Sequence, residues 1–218
     1  MSKEFTLPEE ILEEILKRDI KTIMLLGASD SGKTTLVEQL AILCSSQRKT
    51  AILDVDPGQS HIGPPCTIGW AIIEDKFEGW DKLKMENFYF IGDNSPFKNL
   101  LPTITGARLM QDKAAKVADK IIVDTPGLVR GDIGRALNLH LIDLLKPQIV
   151  IALYKEDELE HILGFFHNIK SPKIIKIPVP SEIKRKDFSE RIAYRKLKFK
   201  NYFRESKINK TFLKKGNS

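Results

Sequence analysis

"TIMLLGASDSGKTTLVEQL", residues 22–40, joins a short apolar run to a loop bounded by glycines and then to a run whose apolar residues recur at three and four. The β-rich run followed by a helical period reads as strand, turn, helix. The turn, Gly27 to Thr34, fits G-x-x-x-x-G-K-[ST] at every fixed position. Such a loop needs glycines, here Gly27 and Gly32, so that backbone N–H groups can turn inward around phosphates. Ser29, Asp30 and Ser31 complete that cradle. Lys33 is spaced to reach the β and γ oxygens, Thr34 to hold Mg²⁺, and Thr35 to help on the α-phosphate side. The stretch therefore predicts a nucleoside triphosphate site.

Outward from it, short apolar runs alternate with helical stretches. The predicted strands are 22–26, 50–55, 120–124, 149–154 and 173–177, and the predicted helices between them are 33–46, 133–145 and 156–168. This βαβα rhythm predicts an α/β fold, a doubly wound and mostly parallel sheet of the P-loop NTPase type. Residues 60–118 interrupt it with two further strands, in "CTIGWAIIE" and "NFYFIGD", and a helix near Gln111 to Ala118. They read as a β-rich insertion on the active edge of the sheet. The start, "MSKEFTLPEEILEEILKR", reads as an amphipathic acidic helix.

A chain of 218 residues with 42% hydrophobic content can bury one good core and hardly two. No apolar run is long enough to span a membrane, and the first residues are unlike a signal peptide. Cys44 and Cys66 suggest neither a zinc site nor a disulfide framework, so a reducing, cytoplasmic setting is expected. The net charge of +6 is uneven. Between Lys184 and Lys215 stand thirteen Lys and Arg against three acidic residues, a net +10, which leaves the remainder at −4. Read as a helix, that segment sets Phe188, Ile192, Phe199 and Phe203 in an apolar stripe and Arg191, Arg195 and Lys198 on a neighbouring face. A solvated tail needs no such stripe.

Two acidic segments bear on the chemistry. "DVDPGQSHIGPP", residues 54–65, sets Asp54 and Asp56 at the end of the second strand, beside the phosphate loop in a doubly wound sheet. One acid can order the water shell of Mg²⁺ while the other orients an attacking hydroxyl, because phosphoryl transfer depends on positioning more than on strong deprotonation. "DTPG", residues 124–127, resembles the D-x-x-G of GTPases, so Asp54 or Asp124 completes the metal shell. The guanine-reading N-K-x-D is missing after "IVIALY", where "KEDELEH" follows.

An ordered set of motifs resembles the polynucleotide 5′-hydroxyl kinases of the pre-messenger-RNA cleavage complex and of ribosomal RNA processing, with their archaeal relatives. It comprises "GASDSGKTTL", the D-x-G-Q core at Asp56 to Gln59, "FIGDNSP" at 90–96, "DTPGLVRG" at 124–131 and "RKDFSERIAYRKLKFKNYF" at 185–203. The resemblance implies a kinase domain over 1–205, with 60–118 as a substrate clasp, 184–205 as a lid and 206–218 as a basic tail. It implies transfer of the ATP γ-phosphate to the 5′-hydroxyl end of RNA or DNA, with ATP and Mg²⁺ required. Asp56 would position the hydroxyl, Gln59 would lie near the metal or acceptor, and Arg191 and Arg195 would meet the transferring phosphoryl group. Asn94, Ser95, Thr125 and Gly127 are implied to clasp the nucleic acid. Leu128 stands where several relatives carry a stacking aromatic residue.

Two other function classes fit parts of the sequence: a nucleotide-hydrolysing switch with a basic partner-binding tail, and an idle RNA-binding adaptor. The missing N-K-x-D disfavours the first, and an intact set of Lys33, Asp56 and arginines disfavours the second. Trp70 and Trp80 are expected in the core rather than on bases. The four histidines, His61, His140, His161 and His167, are expected in packing or surface roles. Arg130 and Arg135 lie close enough in sequence to the clasp to touch a backbone phosphate.

Overall fold

A computed structural model describes residues 5–180, 187–204 and 206. Seven strands form one sheet: β1 (Thr22–Gly27), β2 (Thr50–Asp54), β3 (Thr67–Ile73), β4 (Met85–Phe90), β5 (Lys120–Asp124), β6 (Ile149–Tyr154) and β7 (Lys173–Pro178). Their spatial order is β4-β3-β2-β5-β1-β6-β7. The five strands from β2 to β7 pair in parallel, while β3 and β4 add on antiparallel at one side. Helices α1 (Glu9–Leu16) and α2 (Lys33–Ser45) cover one face. Helices α3 (Leu100–Ala114), α4 (Gly131–Leu145) and α5 (Glu160–Leu163) cover the other.

The uniform apolar runs follow from that layering. Met24 and Leu26 of β1 point into the core under α3 and α4, and Ile23 and Leu25 point into the core under α2. A strand covered on both faces has no polar side to alternate with. The carboxyl ends of the parallel strands then open at one edge, where such sheets bind ligands.

The sequence reading departs from this fold at four places. The second strand, expected over 50–55, ends at Asp54 and leaves Asp56 in the loop beyond it, while β5 sets Asp124 directly across from Asp54. The helix expected near 111–118 runs from Leu100 to Ala114. Its first half, rich in Thr, Ile and Gly, has weak helix propensity, and packing decides instead: a Cβ on Gly106 would lie 2.6 Å from the Tyr89 ring. Helix 156–168 shrinks to α5 and a 3₁₀ turn at Gly164–Phe166. There the Glu158 carboxylate accepts from the Lys155 (3.0 Å) and Glu156 (2.8 Å) amides and folds 155–158 into a turn.

The fourth departure concerns the last helix, α6 (Phe188–Tyr202), which opens with a capping box between Asp187 and Glu190. It does not bury the expected apolar stripe, since Phe199 is 37% and Phe203 54% exposed. The face turned to the protein is polar. Tyr194 Oη donates to the Ser60 carbonyl (3.1 Å), Lys198 Nζ donates to the His61 carbonyl (2.8 Å), and Arg191 reaches Asp30. The Phe188 side chain, residues 184–186 and 205, and the tail from 207 lie outside the described residues. Among the described residues no helix is long and apolar enough to cross a membrane.

Candidate active site

Between β1 and α2 the chain makes the expected loop, with Asp30 at φ 57° and Gly32 at φ 91°. Gly32 begins α2 with no side-chain cap, so the first amides of the helix face the cavity above it. The cavity holds about 180 Å³ and is walled by the loop from Ser29 to Thr35, by Asp56, Gln59 and His61, and by Asp124, Thr125 and Gly127. The buried Ser31 hydroxyl has no hydrogen-bond partner among the described residues. Such a shell of amides and an orphaned hydroxyl suits anionic oxygens.

Lys33 is 7% exposed and donates from Nζ to the carbonyls of Gly27 (2.8 Å) and Ala28 (2.9 Å). Burial lowers its pKa, and Asp124, Asp56 and Asp30 pull it back up. Asp124 takes a 3.2 Å hydrogen bond from Thr34 Oγ1 at its Oδ2. Burial pushes its carboxyl up to about 6, against the pull of Lys33. A hydroxyl beside a carboxylate at the foot of a phosphate cradle is the donor set of a Mg²⁺ ion that keeps most of its waters, so these residues fit that ion.

The two acids of the opening stretch are used differently. Asp54 is 1% exposed, and its Oδ2 accepts from the amides of His61 (2.5 Å) and Ile62 (3.1 Å) and from Ser60 Oγ (3.3 Å), while Oδ1 accepts from the Asp56 amide (3.1 Å). It lies outside the cavity wall and ties residues 56–62 to the end of β2. Burial, Asp124 and Asp56 push it up to about 8, opposed by the Ile62 and His61 amides. Asp56 instead lines the cavity. Its Oδ1 accepts from the Gly58 (2.8 Å) and Gln59 (3.2 Å) amides, and no hydrogen bond holds Oδ2 among the described residues.

The glycines of both acidic segments permit close docking. A Cβ on Gly58 would lie 2.6 Å from the Asn94 carbonyl oxygen, and one on Gly127 would lie 2.5 Å from the Ser29 amide nitrogen. So Asn94, exposed, and Ser95, half-buried, are brought against Asp56 to Gln59, and "DTPG" is brought against the phosphate loop. Thr125 lines the cavity, but its hydroxyl donates to the Leu25 carbonyl (2.6 Å). Leu128 packs on the core beside α4 and is not part of the wall.

Arg191 and Arg195 point to different places. Arg191 pairs with Asp30 on the phosphate loop. Burial and Asp93 push the Cys66 thiol up in pKa, and the charge of Arg195 opposes them. His61 was not singled out from sequence, yet it stands in the cavity wall with its ring 4.6 Å from Trp80 and 5.8 Å from Tyr194. Its place two residues after D-x-G-Q was the only signal available. Trp70 is buried in the core, and Trp80 packs in the layer under α2 and donates to Glu38 (2.5 Å). His161 bonds the Val129 carbonyl, His140 and His167 are exposed, and Arg135 pairs with Asp132, next to the exposed Arg130.

The family model described as mRNA cleavage and polyadenylation factor CLP1 P-loop matches residues 27–205. A polyribonucleotide 5′-hydroxyl-kinase of Methanocaldococcus jannaschii is 42% identical over 187 residues, covering 85% of this chain and 51% of that protein. One of Pyrococcus furiosus is 37% identical over 194 residues, covering 88% of this chain and 53% of that protein. The chain thus spans about half the length of the curated relatives it matches. Among solved structures, the wild-type Clp1p-Pcf11p (454–563) complex superposes with a TM-score of 0.68 at 17% identity, over 89% of this chain and 52% of that one, a likeness of fold.

Proposed function

The chain belongs to the CLP1 P-loop family, and from that premise we propose that it is an ATP-dependent kinase acting on the 5′-hydroxyl end of RNA. The observation that carries this reading is the meeting of three groups on one cavity: Lys33 in the phosphate loop, the Thr34–Asp124 pair, and Asp56 with one carboxylate oxygen turned loose. A carboxylate so placed can orient an attacking hydroxyl or a water, and what favours the hydroxyl is the likeness to named kinases. Relatives named polyribonucleotide 5′-hydroxyl-kinase support RNA as the acceptor.

In the proposed reaction the 5′-hydroxyl oxygen attacks the γ-phosphorus, the bond from that phosphorus to the β–γ bridging oxygen breaks, and ADP leaves. The hydroxyl proton passes to Oδ2 of Asp56, which two backbone amides hold in position through Oδ1. Thr34 and Asp124 would hold Mg²⁺, which would supply positive charge to offset that of the β and γ oxygens. Lys33 moves from the Gly27 and Ala28 carbonyls to those oxygens, a short swing for a side chain already inside the cradle. Arg191, already latched to the phosphate loop, is the arginine nearer the nucleotide, and Arg195 follows it by one helical turn on α6.

The test is γ-labelled ATP with a 5′-hydroxyl RNA oligomer, its DNA counterpart and a 5′-phosphorylated control. Label is expected on 5′-hydroxyl RNA alone among the RNAs, and only with Mg²⁺ present. Steady hydrolysis of ATP or GTP without labelled oligomer would establish the switch instead.

A further inference from the structure

The apolar side chains that α6 leaves uncovered do not stand alone. Tyr202, 45% exposed, meets Phe88 of β4 edge to face at 6.5 Å. Phe203 meets Tyr202 edge to face at 4.9 Å and stacks nearly parallel to Phe199 at 6.4 Å. Phe88 and Phe90 sit two apart on β4 and so share one face of the sheet, and Phe90 is 68% exposed. The result is a continuous aromatic strip, from Phe90 on the edge strand through Phe88 and Tyr202 to Phe203 and Phe199.

The strip is set in positive charge. Lys196 and Lys200 are exposed on α6 and Arg204 just after it, and from Arg191 to Arg204 the chain has no acidic residue. Glu86 on β4 is the exposed acid nearest in sequence to Phe88. An apolar protein partner would have to bury those cations without partners, at a cost. A single-stranded nucleic acid uses both features, because unpaired bases stack on rings while phosphates meet Lys and Arg. A duplex keeps its base faces covered.

We infer that α6 and β4 together form a stacking platform for single-stranded nucleic acid. Its position in the strand, downstream of a 5′ end held at Asp56, rests on the kinase reading; the platform itself does not. From Arg191 at the phosphate loop to Tyr202 the helix rises about 16 Å, which at about 3.4 Å per stacked nucleotide places the strip some five nucleotides from the reacting end. Arg195 marks the path between them. Its charge reaches Cys66, whose carbonyl accepts from the Ile91 amide (2.8 Å), next to Phe90. The platform therefore selects 5′ ends that continue as single strands.

The experiment measures binding without ATP, by fluorescence anisotropy, of a 5′-phosphorylated single-stranded RNA ten-mer and a blunt duplex of the same sequence. Phe203→Ala and Phe90→Ala, both at exposed positions, are each expected to weaken the single strand about five-fold or more. The slope of affinity against salt should stay the same in both, since no phosphate contact is lost, whereas Lys200→Gln should reduce it. Phe203→Trp should restore affinity. Unchanged single-strand affinity in the Phe90→Ala/Phe203→Ala double variant overturns the platform, as does a duplex that binds as tightly as the single strand. A change in self-association with RNA affinity intact would make the strip a protein contact and also overturns it. If the aromatic variants weaken binding while the wild type transfers no phosphate, the kinase reading fails and the platform stands.

Discussion

Two lysines are buried at opposite ends of the sheet. Lys33 follows the carboxyl end of β1 and Lys120 begins β5. Both donate to backbone carbonyls, and burial lowers the pKa of both. Lys120 makes three such bonds, to Ile15 (2.6 Å), Lys17 (2.9 Å) and Ile20 (2.6 Å), and so gathers the end of α1 and the turn after it. The Lys17 carbonyl also accepts from the Ile20 amide (3.3 Å), and a cation suits a helix C-terminus. Lys33 makes two bonds and has carboxylates on its other side, across an open cavity. Burial and hydrogen bonding are thus common to a structural lysine and a reactive one. What separates them is whether the surroundings leave room for another partner.

The sharpest test of that contrast substitutes each with methionine. Lys33→Met is expected to fold normally and to lose phosphoryl transfer by about 10²-fold or more, the scale of removing one donor to a developing anion. Lys120→Met should do the opposite, losing about 2–5 kcal/mol of stability as the three buried bonds to Ile15, Lys17 and Ile20 are lost while its kcat per folded molecule stays at the wild-type value. Denaturant unfolding beside single-turnover transfer measures both. A Lys33→Met protein with full activity, or a Lys120→Met protein of undiminished stability, breaks the comparison.

Arg191 stands between those cases, because it is held by the protein yet borders the cavity. If its bond to Asp30 only tethers α6, Arg191→Ala and Asp30→Asn should harm transfer alike. If Arg191 leaves Asp30 for the transferring phosphoryl group, Arg191→Ala should lower kcat about ten-fold or more beyond Asp30→Asn. Arg191→Lys should rescue little, since an ammonium lacks the planar fork. Equal kcat values for the two alanine and asparagine variants would reduce the helix to a tether.

The sequence disclosed what depends on one strand or one loop at a time. β1, β2, β5 and β6 have apolar middles because both faces are covered, and the phosphate loop is specified by its own glycines. Readings that depend on a second segment were weaker. Spacing ranked Asp54 and Asp56 as equals; only the return of residues 60–62 beneath the end of β2 shows that one is enclosed and the other faces the cavity. The apolar stripe of α6 was a fair inference from period, yet the helix is seated by Tyr194 and Lys198 on carbonyls that no period reveals. The capping box at Asp187 and Glu190 was present in "DFSE" and marks the helix start.

The same contrast between an enclosed group and an open one recurs in the acids, with a smaller effect that pH can isolate. Asp54 has its carboxyl pushed up to about 8 in the folded protein, while an Asp in the unfolded chain titrates near 3.9. Between those values the native state binds the extra proton, so the contribution of Asp54 to stability falls as pH rises from about 4 to about 8. Asp124, pushed up to about 6, adds to that fall only in the lower part of the window. Asp54→Asn, a neutral carboxamide of the same size, removes the titration. Thermal unfolding without nucleotide or metal should therefore show wild type and variant most alike near pH 5, with the wild type falling progressively below the variant as pH rises to about 8, by a few degrees. Asp124→Asn should leave the upper half of the window as it is in the wild type. A constant offset between wild type and Asp54→Asn from pH 5 to 8 would mean that the His61 and Ile62 amides keep Asp54 ionised throughout. The enclosed acid would then be a fixed charge holding its loop, as Lys120 is at the other end of the sheet.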